Sequence, residues 1–166
     1  MSASCGICAV SSVLKYYGEE ESYYDLELSY LKDYISVTLE SLRINGSNVK
    51  SHNAALEKLG YNSEYGQTLS GSTPKYATYE EYMQFMRSNL REGRPIVVST
   101  YLGSGHFITV IGLDDMGTDY IYDDALIIAD SSDYWDGYQD GYNIYPALSF
   151  LASIPPVIIA RCKIIS

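Results

Sequence analysis

Cys5-Gly6-Ile7-Cys8-Ala9-Val10-Ser11-Ser12-Val13-Leu14-Lys15-Tyr16-Tyr17-Gly18 is the stretch from which the rest of the chain can be read. Apolar side chains at Ile7, Val10, Val13, Leu14 and Tyr17 recur at close to helical spacing. They predict a helix from about Gly6 to Tyr17. Gly18 stands where a helix commonly ends in the left-handed conformation. Cys5 then lies just before or at the helix N-terminus, where the positive end of the macrodipole lowers a thiol pKa. Gly6 beside it leaves room for a carbonyl to approach the backbone. A thiolate so placed is a candidate nucleophile. It needs a base within hydrogen-bond reach and a third group to orient that base.

The chain has only two histidines to supply the base. His52 lies early in a polar segment that reads as a short helix, with Ser51 as its N-cap and Gly60 after Leu59. That placement reads as a solvated surface residue. His106 opens a strand after Gly103-Ser104-Gly105, a position where side chains commonly line a cleft. Asp130 ends the apolar run Leu126-Ile127-Ile128-Ala129, from which its carboxylate can reach the His106 imidazole. Cys5, His106 and Asp130 are thus the candidate catalytic set. On residues alone the competing reading stays open: a buried cysteine, a turn histidine and a strand-end aspartate.

Outward from these anchors the chain divides in two. The first half reads helical, with a second periodic stretch over Tyr24–Leu42 and a Gly/Ser/Thr-rich loop over Gln67–Ala77. A further helix spans Tyr79–Glu92, with Tyr82, Phe85, Met86 and Leu90 on one face. The second half reads as sheet, with strands at Pro95–Tyr101, His106–Leu113, Leu126–Ala129 and Val157–Ile165. Asp114, Asp115, Asp119, Asp123 and Asp124 read as a solvated hairpin turn. Asp130–Tyr142 reads as an acidic, aromatic loop at a cleft rim, where Trp135 would pack near the site and the aspartates would favour a basic substrate. Helices first and strands later predict an α+β fold with an antiparallel sheet. At 166 residues the chain is the size of one domain, taken here as 1–166.

Composition narrows the function classes. Hydrophobic residues make up 46% and charged residues 19%, as in ordinary globular proteins. The net charge of −10 makes nucleic acid a poor partner, since phosphate binding needs a basic face. No apolar run approaches the roughly 18 residues of a membrane span. Met1-Ser2-Ala3-Ser4 has neither the basic region nor the apolar core of a secretory leader. Either the protein is intracellular or an upstream segment has been removed, and in the second case the acidic, tyrosine-rich composition leans towards an extracellular or cell-envelope setting. Three cysteines are an odd number, so no complete disulfide framework is expected, and Cys162 reads as a small buried hydrophobe. Cys5-Gly6-Ile7-Cys8 has no second Cys-x-x-Cys to answer it, and the aspartates of 133–142 do not match an EF-hand loop. Neither metal nor cofactor is expected.

The opening stretch resembles the N-terminal motif of the double-glycine leader peptidases, papain-like cysteine peptidase domains of bacteriocin-exporting transporters with many stand-alone relatives. Their pattern is a catalytic Cys-Gly followed by an apolar helix ending in Leu-Lys-Tyr-Tyr-Gly, which Leu14–Gly18 matches at the same spacing. Gly93-Arg94-Pro95-Ile96-Val97-Val98 looks like the strand preceding their histidine. Gly105-His106-Phe107-Ile108-Thr109-Val110-Ile111-Gly112 looks like the histidine strand, and Ile127-Ile128-Ala129-Asp130 like the strand that ends in their aspartate. The resemblance spans nearly the whole chain. It implies a papain-like fold in which a nucleophile helix packs on an antiparallel sheet. It also implies a cysteine peptidase acting on a peptide or protein substrate. In that reading Cys5 is nucleophile, His106 general acid/base and Asp130 its orienter.

Two departures from that pattern stand out. The family's oxyanion-hole glutamine, six residues before the nucleophile, would precede Met1, and Gln67, Gln84 and Gln139 lie far from it in sequence. A chain trimmed upstream, cut from a longer protein, accounts for this, and so does a degenerate enzyme. Ser131 also replaces the usual proline after the aspartate. A rival register places the nucleophile at Cys8 and the oxyanion position at Ser2, as in Cys-Gly-Ser-Cys-Trp enzymes. The Lys15-Tyr16-Tyr17-Gly18 match and the missing aromatic after Cys8 favour Cys5. The same triad also serves acyltransferases and deamidases. A catalytically silent papain-like module that binds a partner is the remaining alternative.

Overall fold

The computed structural model describes residues 5–20, 49–65, 78–100, 106–133, 137–152 and 159–164. Its elements are α1 (Cys5–Tyr16), α2 (Val49–Lys58), β1 (Tyr61–Tyr65), α3 (Tyr79–Arg91), β2 (Ile96–Thr100), β3 (His106–Asp114), β4 (Ala125–Ala129), β5 (Tyr142–Pro146), α4 (Ala147–Ala152) and β6 (Ile159–Ile164). The six strands form a sheet in the order β1-β6-β2-β3-β4-β5, and each neighbouring pair is antiparallel. The expected α+β class is therefore what the chain adopts. The expected helix over Tyr24–Leu42 and loop over Gln67–Ala77 lie outside the described residues, as do Trp135 and the side chain of Cys162.

Strand periodicity sorts the two faces of the sheet, because successive side chains point to opposite sides. Ile96 and Val98 of β2, Ile108 and Val110 of β3, and Leu126 and Ile128 of β4 share one face. They pack on Tyr82, Met83, Phe85 and Met86 of α3 and on Phe150 of α4. Thr109 alternates with Ile108 and Val110 and so faces the other way. Its buried hydroxyl donates to the Ala9 carbonyl of α1 at 2.8 Å. Helix α1 therefore lies on the opposite face, with Ile7, Val10, Val13 and Leu14 almost fully buried. Its C-terminus closes as the glycine predicted. Gly18 has a φ of +83°, and the Glu19 N–H reaches back to the Leu14 carbonyl. At Gly112, where the β3–β4 register shifts, a side chain would meet Ile127 Cδ1 at 3.2 Å.

Three elements escape the sequence reading, and each for a physical reason. Strand β1, Tyr-Asn-Ser-Glu-Tyr, has no β-branched residue and lies at the sheet edge, held by its ladder to β6. Strand β5 inverts the usual pattern: Asn143 points inward while Tyr142 and Ile144 are exposed. Helix α4 is only six residues long. Helix α2 begins at Val49, two residues before the expected cap at Ser51. The hairpin aspartates also need correcting. Asp124 is buried, not solvated, and its two oxygens accept from Arg87 Nε at 2.7 Å and Nη2 at 2.6 Å.

Candidate active site

Antiparallel pairing brings the start of β3 and the end of β4 to the same end of two interior strands. His106 opens β3 and Asp130 follows β4, so both lie at that end. The His106 Nε2 and Asp130 Oδ1 atoms are 2.6 Å apart. The Cys5 thiol, at the first residue of α1, hydrogen-bonds the His106 side chain. With Nε2 engaged by Asp130, the other ring nitrogen, Nδ1, is left for the thiol. The structure thus brings Cys5, His106 and Asp130 together, with the imidazole in the middle. The Thr109–Ala9 bond clamps α1 to the same strand that carries His106.

The electrostatics follow from these contacts. Burial pushes the Cys5 thiol up, but the His106 side chain and the Phe107 and Gly6 N–H groups outweigh it and hold the thiol below its ordinary value. His106 is raised to about 9, first by its hydrogen bond to Asp130 and then by the one to Cys5. Burial likewise pushes Asp130 up. The bonds from His106 and from the Ser132 and Asp133 backbone overcome that, and the carboxyl sits below its usual range. At neutral pH the imidazole is therefore a cation facing an ionised carboxylate. Asp130 Oδ1 also accepts the Ser132 N–H at 2.8 Å, and Oδ2 accepts Asn143 Nδ2 at 3.4 Å.

His52 is not the surface residue its polar neighbours suggest. It is fully buried, and its ring meets Phe107 edge-on at 4.8 Å between centroids. Burial lowers its pKa to about 4, so it is neutral where His106 is charged. Helix α2 turns His52, Ala55 and Leu56 inward at i, i+3 and i+4, and the histidine occupies an apolar position. Cys8, one turn beyond Cys5, lines a cavity of about 400 Å³ with Ser12, Lys15, Asp130, Asp140 and Tyr142. That cavity runs along the exposed side of α1, and neither Cys5 nor His106 lines it. Among the described residues no three His, Cys, Asp or Glu side chains cluster to hold a metal ion. No described helix is long and apolar enough to cross a membrane.

The sequence reading missed Asn143. Its signal was present: an amide at the inward position of a strand beside a candidate triad. The exposed tyrosine and isoleucine on either side hid the strand. It also missed the Phe107 N–H as a thiol partner, since a backbone donor leaves no trace in residue type.

The family model described as "Peptidase_C39 like family" matches residues 2–153. The chain belongs to the Peptidase_C39-like family. Among solved structures, the Peptidase_C39-like chain is similar to the peptidase domain of Streptococcus ComA, described as a bifunctional ABC transporter involved in a quorum-sensing pathway. The TM-score is 0.55 at 16% identity, covering 98% of this chain and 93% of that one. At that identity the likeness is one of fold. No curated protein sequence matches the chain. Family and fold together place this protein among the cysteine-peptidase-like chains that its opening motif resembles.

Proposed function

We propose that this protein is a cysteine peptidase that hydrolyses peptide bonds through Cys5, His106 and Asp130. The observation that supports this best is the His106 ring, hydrogen-bonded on one side to the Cys5 thiol and on the other to Asp130. In this reading the Cys5 thiolate attacks the substrate carbonyl carbon and forms a tetrahedral intermediate. The Cys5 backbone N–H, at the α1 N-terminus, is a partial donor to the oxyanion. His106, already protonated, gives its proton to the leaving amine as the C–N bond breaks and a thioester forms. Neutral His106 then takes a proton from water, whose oxygen attacks the thioester and releases the acid and the thiol. Asp130 holds the imidazole in orientation and stabilises its cationic form. No step calls for a metal or cofactor.

The test needs no substrate identity. Iodoacetamide alkylation from pH 4 to 9, mapped by peptide mass spectrometry, should show Cys5 reacting far faster at pH 5 than an ordinary thiol of pKa about 8.5. His106→Ala should abolish that excess. Fast labelling of Cys8 in place of Cys5 would sink the assignment. Product masses from a peptide library then separate hydrolysis from acyl transfer or deamidation.

A further inference from the structure

We infer that Asn143 is a positioning residue for this site: its buried side-chain amide pins Asp130 so that one carboxylate oxygen stays aimed at His106. The inference rests on the catalytic reading above. Asn143 is 1% exposed, and its Nδ2 donates to Asp130 Oδ2 at 3.4 Å. The other oxygen, Oδ1, is the one shared by His106 and the Ser132 N–H. Donors therefore hold the carboxylate on both sides, and rotation about its last torsion would break both contacts.

The backbone sets up this contact. Asn143 pairs with Ile128 in the β4–β5 ladder, and the Asp130 N–H continues that ladder to the Gly141 carbonyl at 3.0 Å. Asp133, left-handed at φ 44°, closes the turn. Its Oδ2 accepts the Gly141 N–H at 2.6 Å. Ser132 thus holds the Asp130 carboxylate from the β4 side, and β5 delivers the Asn143 amide.

Only the donor half of the Asn143 amide is satisfied. Its Oδ1 is buried with no hydrogen-bond partner among the described residues. A half-satisfied buried amide is costly, and an apolar side chain at this inward strand position would avoid the cost. A residue that breaks a packing rule beside reactive groups points to a functional reason for its presence. The donor half of the amide supplies one.

The experiment repeats the Cys5 alkylation profile with Asn143→Leu, alongside thermal melting. The other titratable groups around Asp130 are His106, Cys5, Asp133 and Tyr145, with Cys8, Lys15, Asp140 and Tyr142 across the adjoining cavity. All of them stay in place. Losing the donor should make Asp130 harder to ionise and the imidazolium less stable, so the thiolate is less populated at low pH. The expected result is a drop of about tenfold in Cys5 labelling rate at pH 5, with the inflection moved to higher pH and melting unchanged or raised. Should leucine prevent folding, Asn143→Ala is read in the same way. A folded variant whose profile overlays the wild type overturns the inference, even if its melting temperature falls. A wild-type protein without fast low-pH labelling overturns the proposed function, and this inference with it.

Discussion

Strand β4 is bracketed by two buried aspartates that do opposite things. Asp124 precedes its first residue and Asp130 follows its last. Asp124 meets Arg87 through two short bonds, and Arg87 also donates to the Thr118 and Tyr120 carbonyls. The side chains of this pair are 9% and 0% exposed. Its cation never titrates in the working range, and its Nε and Nη2 donors are held by fixed acceptors. Asp130 meets His106 through a single oxygen, and the imidazole is 14% exposed, with a thiol on its far side. Its cation, raised from the ordinary histidine value of 6.5 to about 9, can still give up its proton. One end of the strand is a rivet and the other a movable charge. The contrast comes from the partner residue and its accessibility, since both aspartates are buried and flank the same strand.

Exchanging the two ends should break that contrast most visibly in activity. Asp130→Asn should lower kcat/KM on any peptide the wild type cleaves by at least about 10²-fold, by loss of the orienting carboxylate. It should also lower melting at neutral pH, where the imidazolium loses its carboxylate, but by less than Asp124→Ala, because the amide fits the same space. Asp124→Ala should do the reverse. It leaves Arg87 charged and buried without its partner, at a cost of about 3–5 kcal/mol in chemical denaturation. In whatever fraction remains folded, Cys5 should label with the wild-type pH profile. If Asp124→Ala leaves stability intact, the rivet description is wrong.

Smaller effects sharpen the same comparison through pH. The folded pKa of His106 lies above its ordinary value, at about 9. Its stabilising contribution is complete below about 6.5 and is lost as pH rises from there through about 9. Thermal melts across that window should show a downward slope that His106→Ala flattens. His52 has the opposite sign. Its folded pKa, about 4, lies below the ordinary value. Stability should therefore fall as pH drops from about 6.5 towards 4, because only the unfolded chain takes up the proton. His52→Leu should remove that acid slope and leave the alkaline one untouched. Two slopes that both respond to the same histidine would contradict the burial of His52.

What could be read from residues alone tracks local chemistry. Helix α1 and its Gly18 stop, the amphipathic α3, and strands β2, β3 and β4 all have strong periodicity and clear punctuation. Cys5, His106 and Asp130 were legible because each sits at the end of such an element, where sequence marks position well. His52 was misread because one polar side chain on a packed helix face looks like a solvated one. Only the contact with Phe107, 55 residues on, reveals the difference. Asp124 was misread for the same reason, since its partner Arg87 lies across the fold. Strand β1 needed β6 to exist, and no local pattern announces a partner near the other end of the chain.

That last pairing sets an order on synthesis. Strand β6 lies between β1 and β2, so the last of the described strands is an interior strand of the sheet. A growing chain can lay α1 on β3 and seat His106 beside Cys5 while β1 and the outer edge of β2 still have no partner. Both edges stay open to other chains until Ile164 has been made, and unpaired edges invite aggregation. The nascent protein thus passes through an interval in which Cys5 and His106 can already meet while its sheet is still open. That interval closes only when the C-terminal strand threads in.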